Sequence, residues 1–386
     1  MFEYTDEDNS IKFKLEKKVI ENYIDTNALY KKDHPTECSI MNDNYREVLI
    51  EYVDVSYSRL SEEVEEIIFG NRKDGIYVRI GIATDCFMLS YLCNENLFKY
   101  SELVFYEESE EPLNILKFYY RPLTISINNL NIVSEAERIN FSDEMFETCL
   151  FELAYFKEDC TNICKSWDDY YEEEEDSDLD DEQDKKSFQL PKVFYNKELT
   201  KFYRLGLSSI FPILEYLTYY QILEYFFIDA SHEELYEKLS YKLKDPGFGP
   251  EKANIAKLVK IMEDHSKKAD ETGMLTSVLK KFVDFSDLKE FIENYEEEIS
   301  DKIYTKKNEI FGESVEVDLK EGHIFSNIAK LIKVIRNALV HSSDIREGKK
   351  RYVPFSESTE IVENHIPLLK FLAEKVIFAT SSSYNI

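Results

Sequence analysis

The chain has 386 residues, 43% of them hydrophobic and 32% charged, with 77 acidic against 47 basic side chains and a formal net charge of −30. That length allows two domains, each large enough to bury its own core. Self-repulsion at this charge excludes broad, non-specific adhesion to nucleic acid, so any contact with phosphate must be local.

The charge is uneven along the chain. Residues 1–186 carry 19 basic and 45 acidic side chains, a net of −26, whereas from Ser187 onward 28 stand against 32, a net of −4. The opening "MFEYTDEDNSIKFKLEKK" has neither the basic start nor the apolar run of a secretory signal. Strand patterns dominate the first half. "IKFKL" alternates strictly, and "VLIEYVDVSY", "GIYVRIGIA" and "LTISINNLNIV" are rich in β-branched and aromatic residues. Helical periodicity predicts helices in "RLSEEVEEIIFG" and "DEMFETCLFELAYFKED". An α+β domain over residues 1–165 follows. It contains no Walker loop, G-x-G-x-x-G or metal triad, so its specificity and any trigger it senses are not legible. All six cysteines lie in this half without a disulfide framework or a second pair to complete a zinc site, and they are expected to be reduced, structural thiols.

The run "DDYYEEEEDSDLDDEQDKK" (168–186) has 12 acids in its first 17 residues and cannot bury enough apolar surface to offset its ordering entropy. Residues 166–187 are therefore expected to be an acidic linker or loop. Beyond it, residues 188–386 form almost wholly helical patterns, six or seven helices of a bundle. The most apolar stretch, 205–228, is interrupted by Pro212, Glu215, Gln221 and Glu224, which suits buried helices better than a membrane span. Ser231 to Glu234 look like a capping box, and Pro250 suits the first turn of the next helix. Helices are also expected in "MLTSVLKKFVDF", "SDLKEFIENYEEEISDKI", "HIFSNIAKLIKVIRNALVH" and "STEIVENHIPLLKFLAEKVIFA". The chain is expected to be cytoplasmic.

In the helix 323–341, Ile324, Ile328, Leu331, Ile335 and Leu339 fall on one core-facing stripe, and Lys330, Asn337 and His341 on the opposite side. Arg336 sits on a shoulder roughly 140° from His341. Basic residues at a helix C-terminus also complement its dipole, so the pattern has a plain structural reading. Residues 330–351 nevertheless hold seven basic residues, Lys330, Lys333, Arg336, Arg346, Lys349, Lys350 and Arg351, against Asp344 and Glu347. A local +5 in a −30 chain is what phosphate binding requires.

"IRNALVHSSD", with the basic loop and the closing "IPLLKFLAEKVI", resembles the RNA-cleaving HEPN superfamily, whose signature is Arg, a polar residue, then His four to six residues on. "YLTYYQILEYFF" (216–227) is similar to the first long helix of its Apea-like group. The resemblance covers roughly residues 200–380. It implies a helical HEPN-like domain, metal-independent endoribonuclease activity without a cofactor, and a homodimer joined through the C-terminal half, with aromatic helix 216–227 supplying apolar surface. RNA, including tRNA, would be the substrate, and growth arrest in prokaryotic phage defence the role. By residue it implies that Arg336 stabilises charge, His341 moves protons, Asn337 orients, and Glu224 lies near the motif. Lys330, Lys333, Arg346, Lys349, Lys350 and Arg351 would hold RNA. A catalytically silent HEPN-type binding module, or a toxin regulated by a partner nucleotidyltransferase, remain open alternatives.

Overall fold

The computed structural model describes residues 2–6, 9–14, 38–52, 66–73, 75–92, 113–114, 121–164, 188–268, 270–340, 351–354 and 356–384, with Lys17, Ile20, Glu21 and Trp167. Two compact units result, Met1–Lys197 with Ser382–Ile386, and Glu198–Ser381. The division falls later than the acidic run, whose residues 168–187 lie outside the described residues. Its position has a packing cause. Phe188 stacks on Phe69 at 4.9 Å, and Tyr384 stacks on Phe194 at 4.5 Å, so both flanks of the second unit belong to the first.

In the first unit, β1 (Phe2–Asp6) and β2 (Asn9–Lys14) pair antiparallel, and β7 (Leu113–Asn114) joins β2 in parallel. The main sheet has the spatial order β3 (Ser39–Met41), β4 (Tyr45–Tyr52), β8 (Leu123–Asn128), β6 (Tyr77–Ile82), β5 (Ile67–Phe69), with β9 (Thr161–Ile163) also on β4. Every pairing in it is antiparallel. The expected helix "RLSEEVEEIIFG" ends instead as β5, because Ile67 and Phe69 pair with Ile80 and Val78. Its residues 59–65 lie outside the described residues.

The alternation of β4, "YREVLIEY", organises both faces of this sheet. Val48 and Ile50 pack with Phe146, Cys149 and Leu150 of α2 (Glu135–Lys157), and between them Arg46 donates to Asp143 at 2.6 Å and Ser142 at 2.5 Å. Leu49 faces the other way, onto Phe87 and Met88 of α1 (Asp85–Leu92) and onto Trp167. Glu47 shares that side. It accepts from the Thr84 amide at 2.9 Å, the Thr84 hydroxyl at 2.5 Å, the Thr124 hydroxyl at 2.7 Å and the Tyr45 hydroxyl. Burial first, and then Glu47, push the Tyr45 phenol well up, so it remains the donor. The described cysteines, 38, 86, 149, 160 and 164, form no disulfide with one another.

The second unit is mostly helical. Its helices, the first starting at Lys197, are α3 (Lys197–Leu207), α4 (Pro212–Glu224), α5 (Phe227–Leu243), α6 (Lys252–Lys268), α7 (Glu271–Phe282), α8 (Phe285–Glu298), α9 (Ile324–Val340), α10 (Glu357–Glu363) and α11 (Ile366–Ala379). That makes nine among the described residues rather than six or seven, since the last expected helix divides at Asn364–His365 and α3 adds one. The unit is not all-α. A hairpin, β11 (Asn308–Ile310) and β12 (Glu313–Val315), turns through Phe311 and Gly312, both at positive φ (49° and 83°), as a two-residue primed turn demands. The apolar stretch 205–228 is shared among three helices, and among the described residues no helix is long and apolar enough to cross a membrane. Ser231 does not cap a helix. Phe227, Ala230 and Ser231 bury a face that carries α5 upstream of it, and the Ser231 hydroxyl lies 3.3 Å from His265 Nε2. Gly206 of α3 lets α4 approach, since a Cβ there would stand 2.6 Å from the Thr218 hydroxyl.

Two outcomes follow from these contacts. Arg46→Ala leaves Asp143 facing a buried gap, and should lower the unfolding free energy of the first unit by about 3 kcal/mol. Urea denaturation followed by Trp167, the single tryptophan, reads that unit directly. In the second unit, burial pushes the His365 imidazole down to about 4, against the hydrogen bond to the Ile361 carbonyl, which favours the charged form. A depressed folded-state pKa means that the unfolded chain takes up the proton first. Stability of this unit should therefore fall by roughly 3 kcal/mol as pH drops from about 6.5 to 4. Circular dichroism melts should show this slope in the wild type and lose it in His365→Leu.

Candidate functional site

The helix α9 carries the Arg-Asn pair, and its apolar residues decide which way the pair projects. Ile324, Ile328, Leu331 and Ile335 are buried, as the spacing predicts, while Leu339 is half-buried and Lys330 exposed. Arg336 and Asn337 lie half-buried near the helix end. Their side chains touch, the Arg336 Nη1–H donating to Asn337 Oδ1 at 3.3 Å.

Two other helices complete the surroundings of Arg336. Its guanidinium lies 5.5 Å from the centre of the Tyr220 ring on α4, and its Nε stands 3.5 Å from Glu271 Oε1 at the start of α7. The same Glu271 oxygen accepts the Tyr220 hydroxyl at 2.6 Å. Burial, and then this bond to a carboxylate, push the Tyr220 phenol well above its usual value, while Arg336 works the other way. Tyr220 is therefore a fixed donor near neutrality and not a base. One turn further along α4, Glu224 is exposed, and its charge adds to the Tyr220 shift. The carboxylate at a helix N-terminus is favoured by the exposed amides there. The Arg336 side chain remains 22% exposed.

The basic residues are placed unequally. Lys333 Nζ pairs with Asp270 Oδ2 at 3.2 Å, and Asp270 also caps α7 by accepting the Gly273 amide at 3.0 Å. Partial desolvation raises the Asp270 carboxyl, but the Gly273 amide and Lys333 outweigh it and hold it low. Lys330 reaches the Ser314 carbonyl at 3.4 Å. Arg351 is exposed, and the next residue, Tyr352, donates its amide to the Ala338 carbonyl at 3.1 Å. The chain thus returns to the end of α9 after residues 341–350. Those residues, which include His341, Arg346, Lys349 and Lys350, lie outside the described residues.

The sequence reading missed Glu271 and Asp270. Both sit in the helix-start signal "ADETG", which announces a cap but not a partner 65 residues away. Tyr220, expected in a core or interface, is buried and also bonded. Compared with protein-family models, curated proteins and solved structures, the chain matches none.

Glu271→Ala should destabilise the second unit by about 2 kcal/mol, since it strands a buried hydroxyl and leaves Arg336 without this carboxylate. In a double-mutant cycle with Tyr220→Phe, urea unfolding should give a coupling of about 1 kcal/mol. Additive losses would mean that the two side chains do not act together.

Proposed function

We propose that the C-terminal unit is a metal-independent endoribonuclease of HEPN type. The observation that carries this reading is the hold on Arg336. A ring from α4 and a carboxylate from α7 fix the guanidinium beside Asn337, five residues ahead of His341 in the sequence. A fork of donors set in advance is what a growing phosphoryl charge calls for. In the reaction, the RNA 2′-oxygen attacks the adjacent phosphorus, its proton passes to a base, and the bond to the 5′-oxygen breaks as that oxygen gains a proton. The products are a 2′,3′-cyclic phosphate and a 5′-hydroxyl. His341 moves the protons, since an imidazole titrates near neutrality. Arg336 stabilises the charge, Asn337 orients, and Lys330, Arg351 and the basic residues between 346 and 350 hold the strand. Lys333 contributes less than its charge implies, because Asp270 partly neutralises it.

One observation favours a silent binding module instead. The charge of Arg336 already faces Glu271, as it would in a purely structural ion pair. Activity separates the two readings. The purified full-length chain should cleave bulk RNA or tRNA in the presence of chelator, and leave cyclic phosphate ends. Arg336→Ala and His341→Ala should each reduce the rate by about 100-fold or more. RNA methylated at the 2′-oxygen should resist. Induced expression should arrest growth of the host cell with the wild type and not with His341→Ala. Folded wild-type protein with no cleavage above that of His341→Ala would favour the silent module.

A further inference from the structure

In the helix 216–227, expected to supply apolar surface between two copies, Tyr216, Tyr219, Tyr220, Ile222 and Leu223 are buried in the unit's own core, and Tyr225 is exposed. Apolar side chains are also exposed around the start of α4, at Leu205, Ile210, Phe211 and Leu214, and a longer set lies on α5 and α6. Ile228, Tyr236 and Leu243 of α5, and Ile255, Val259 and Met262 of α6, are each between 47% and 64% exposed. Of the α6 residues whose burial is described, 252–265, none is buried, although the helix's spacing is amphipathic.

Helical geometry places these six side chains on one face. At about 100° per residue, a turn around α5 passes Glu234, then Ser231, then the stripe of Ile228, Leu243 and Tyr236. Glu234 bonds Ser277 of α7 at 2.6 Å, and Ser231 meets His265 of α6, so the stripe points away from α7. On α6 the stripe lies about 100° from the His265 side. As α6 runs antiparallel to α5, its rotation brings that stripe to the same side. The result is a continuous two-helix apolar face, of the kind that marks an association surface.

We propose that this face is where a second copy of the chain docks, with the two hairpins head to tail. Charge selects both the occupant and the direction. At the base of the hairpin Asp229, Glu233, Glu263 and Asp264 outnumber Lys267 and Lys268, with Glu233 paired to Lys281 of α7, whereas Lys242, Lys244, Lys252 and Lys257 toward its tip outnumber Asp245 and Glu251. A two-fold axis perpendicular to the helices lays each tip on the partner's base, so opposite charges meet. A parallel arrangement would stack tip on tip. Along the α5 edge, Asp229 of each copy then meets Lys244 of the other. Both are exposed, and neither makes an ion pair among the described residues. This inference stands on exposure and charge, and does not rest on the reading of Arg336.

Sedimentation velocity of the full-length chain tests it. The wild type should sediment as a dimer, and Tyr236→Glu with Val259→Glu as a monomer with an unchanged helical spectrum. Asp229→Lys and Lys244→Asp should each weaken the dimer about 10-fold, and the two together should restore it. Three results would overturn the proposal. They are a monomeric wild type, a dimer indifferent to the Tyr236 and Val259 substitutions, and two charge reversals that add rather than cancel. Flotation of the wild-type chain with phosphatidylserine vesicles, lost in the Tyr236/Val259 variant, would instead assign the face to an anionic membrane. Cleavage is read in a separate assay, so failure of either proposal leaves the other measurable.

Discussion

The carboxylate of Glu271 is the contact on which the polar end of α9 depends. An arginine half-withdrawn from water at the meeting of three helices needs a counter-charge, or its desolvation would outweigh the packing around it. Glu271 supplies that charge from the first turn of α7, where the helix dipole already favours an acid. By accepting the Tyr220 hydroxyl on the same oxygen, it also ties α4 to α7. One side chain thus satisfies a buried phenol and positions a guanidinium.

The two units share a device suited to so acidic a chain. Each buries a carboxylate and satisfies it with neutral donors. Glu47 is met by an amide and three hydroxyls, and Glu296 of α8 by the Tyr304 amide at 2.7 Å, the Thr305 amide at 2.8 Å and the Thr305 hydroxyl at 2.6 Å. None of these donors is a cation. Backbone amides are available wherever a loop turns inward, whereas acids outnumber lysines and arginines 77 to 47. The acids therefore pin loops to the core, Thr84 at the start of α1 and Tyr304 ahead of the β11–β12 hairpin.

Much of this architecture was legible in the residues. The β-branched run "VLIEYVDVSY" and the 3.6-residue stripe of α9 each record a pattern that local sequence must carry: β4 covers Val48–Tyr52 of the first, whose residues 53–57 lie outside the described residues, and α9 lies where its period puts it. The hairpin at Phe311–Gly312 and the strand at Ile67–Phe69 were not legible, since their partners decide them. The cap signal at Ser231 lost to buried neighbours upstream. At the candidate site, the Arg336–Asn337 pair stood out by composition. Its surroundings did not, because Tyr220 and Glu271 reach it through tertiary packing, across 116 and 65 residues of chain. The sequence also overstated the positive charge of α9, since folding brings Asp270 and Glu271 beside it.

The short ladder between β10 (Val193–Phe194) and β13 (Ser382–Ser383) makes the second unit an insertion into the first. Entry and exit of nearly half the chain pass through two adjacent strands, whose aromatic neighbours Phe141, Phe194 and Tyr384 form a clasp. Residues 382–384 thus complete a core that residues far upstream began. That core cannot close until Tyr384 has been synthesised, so the first unit reaches its finished form only after the helical unit has been made.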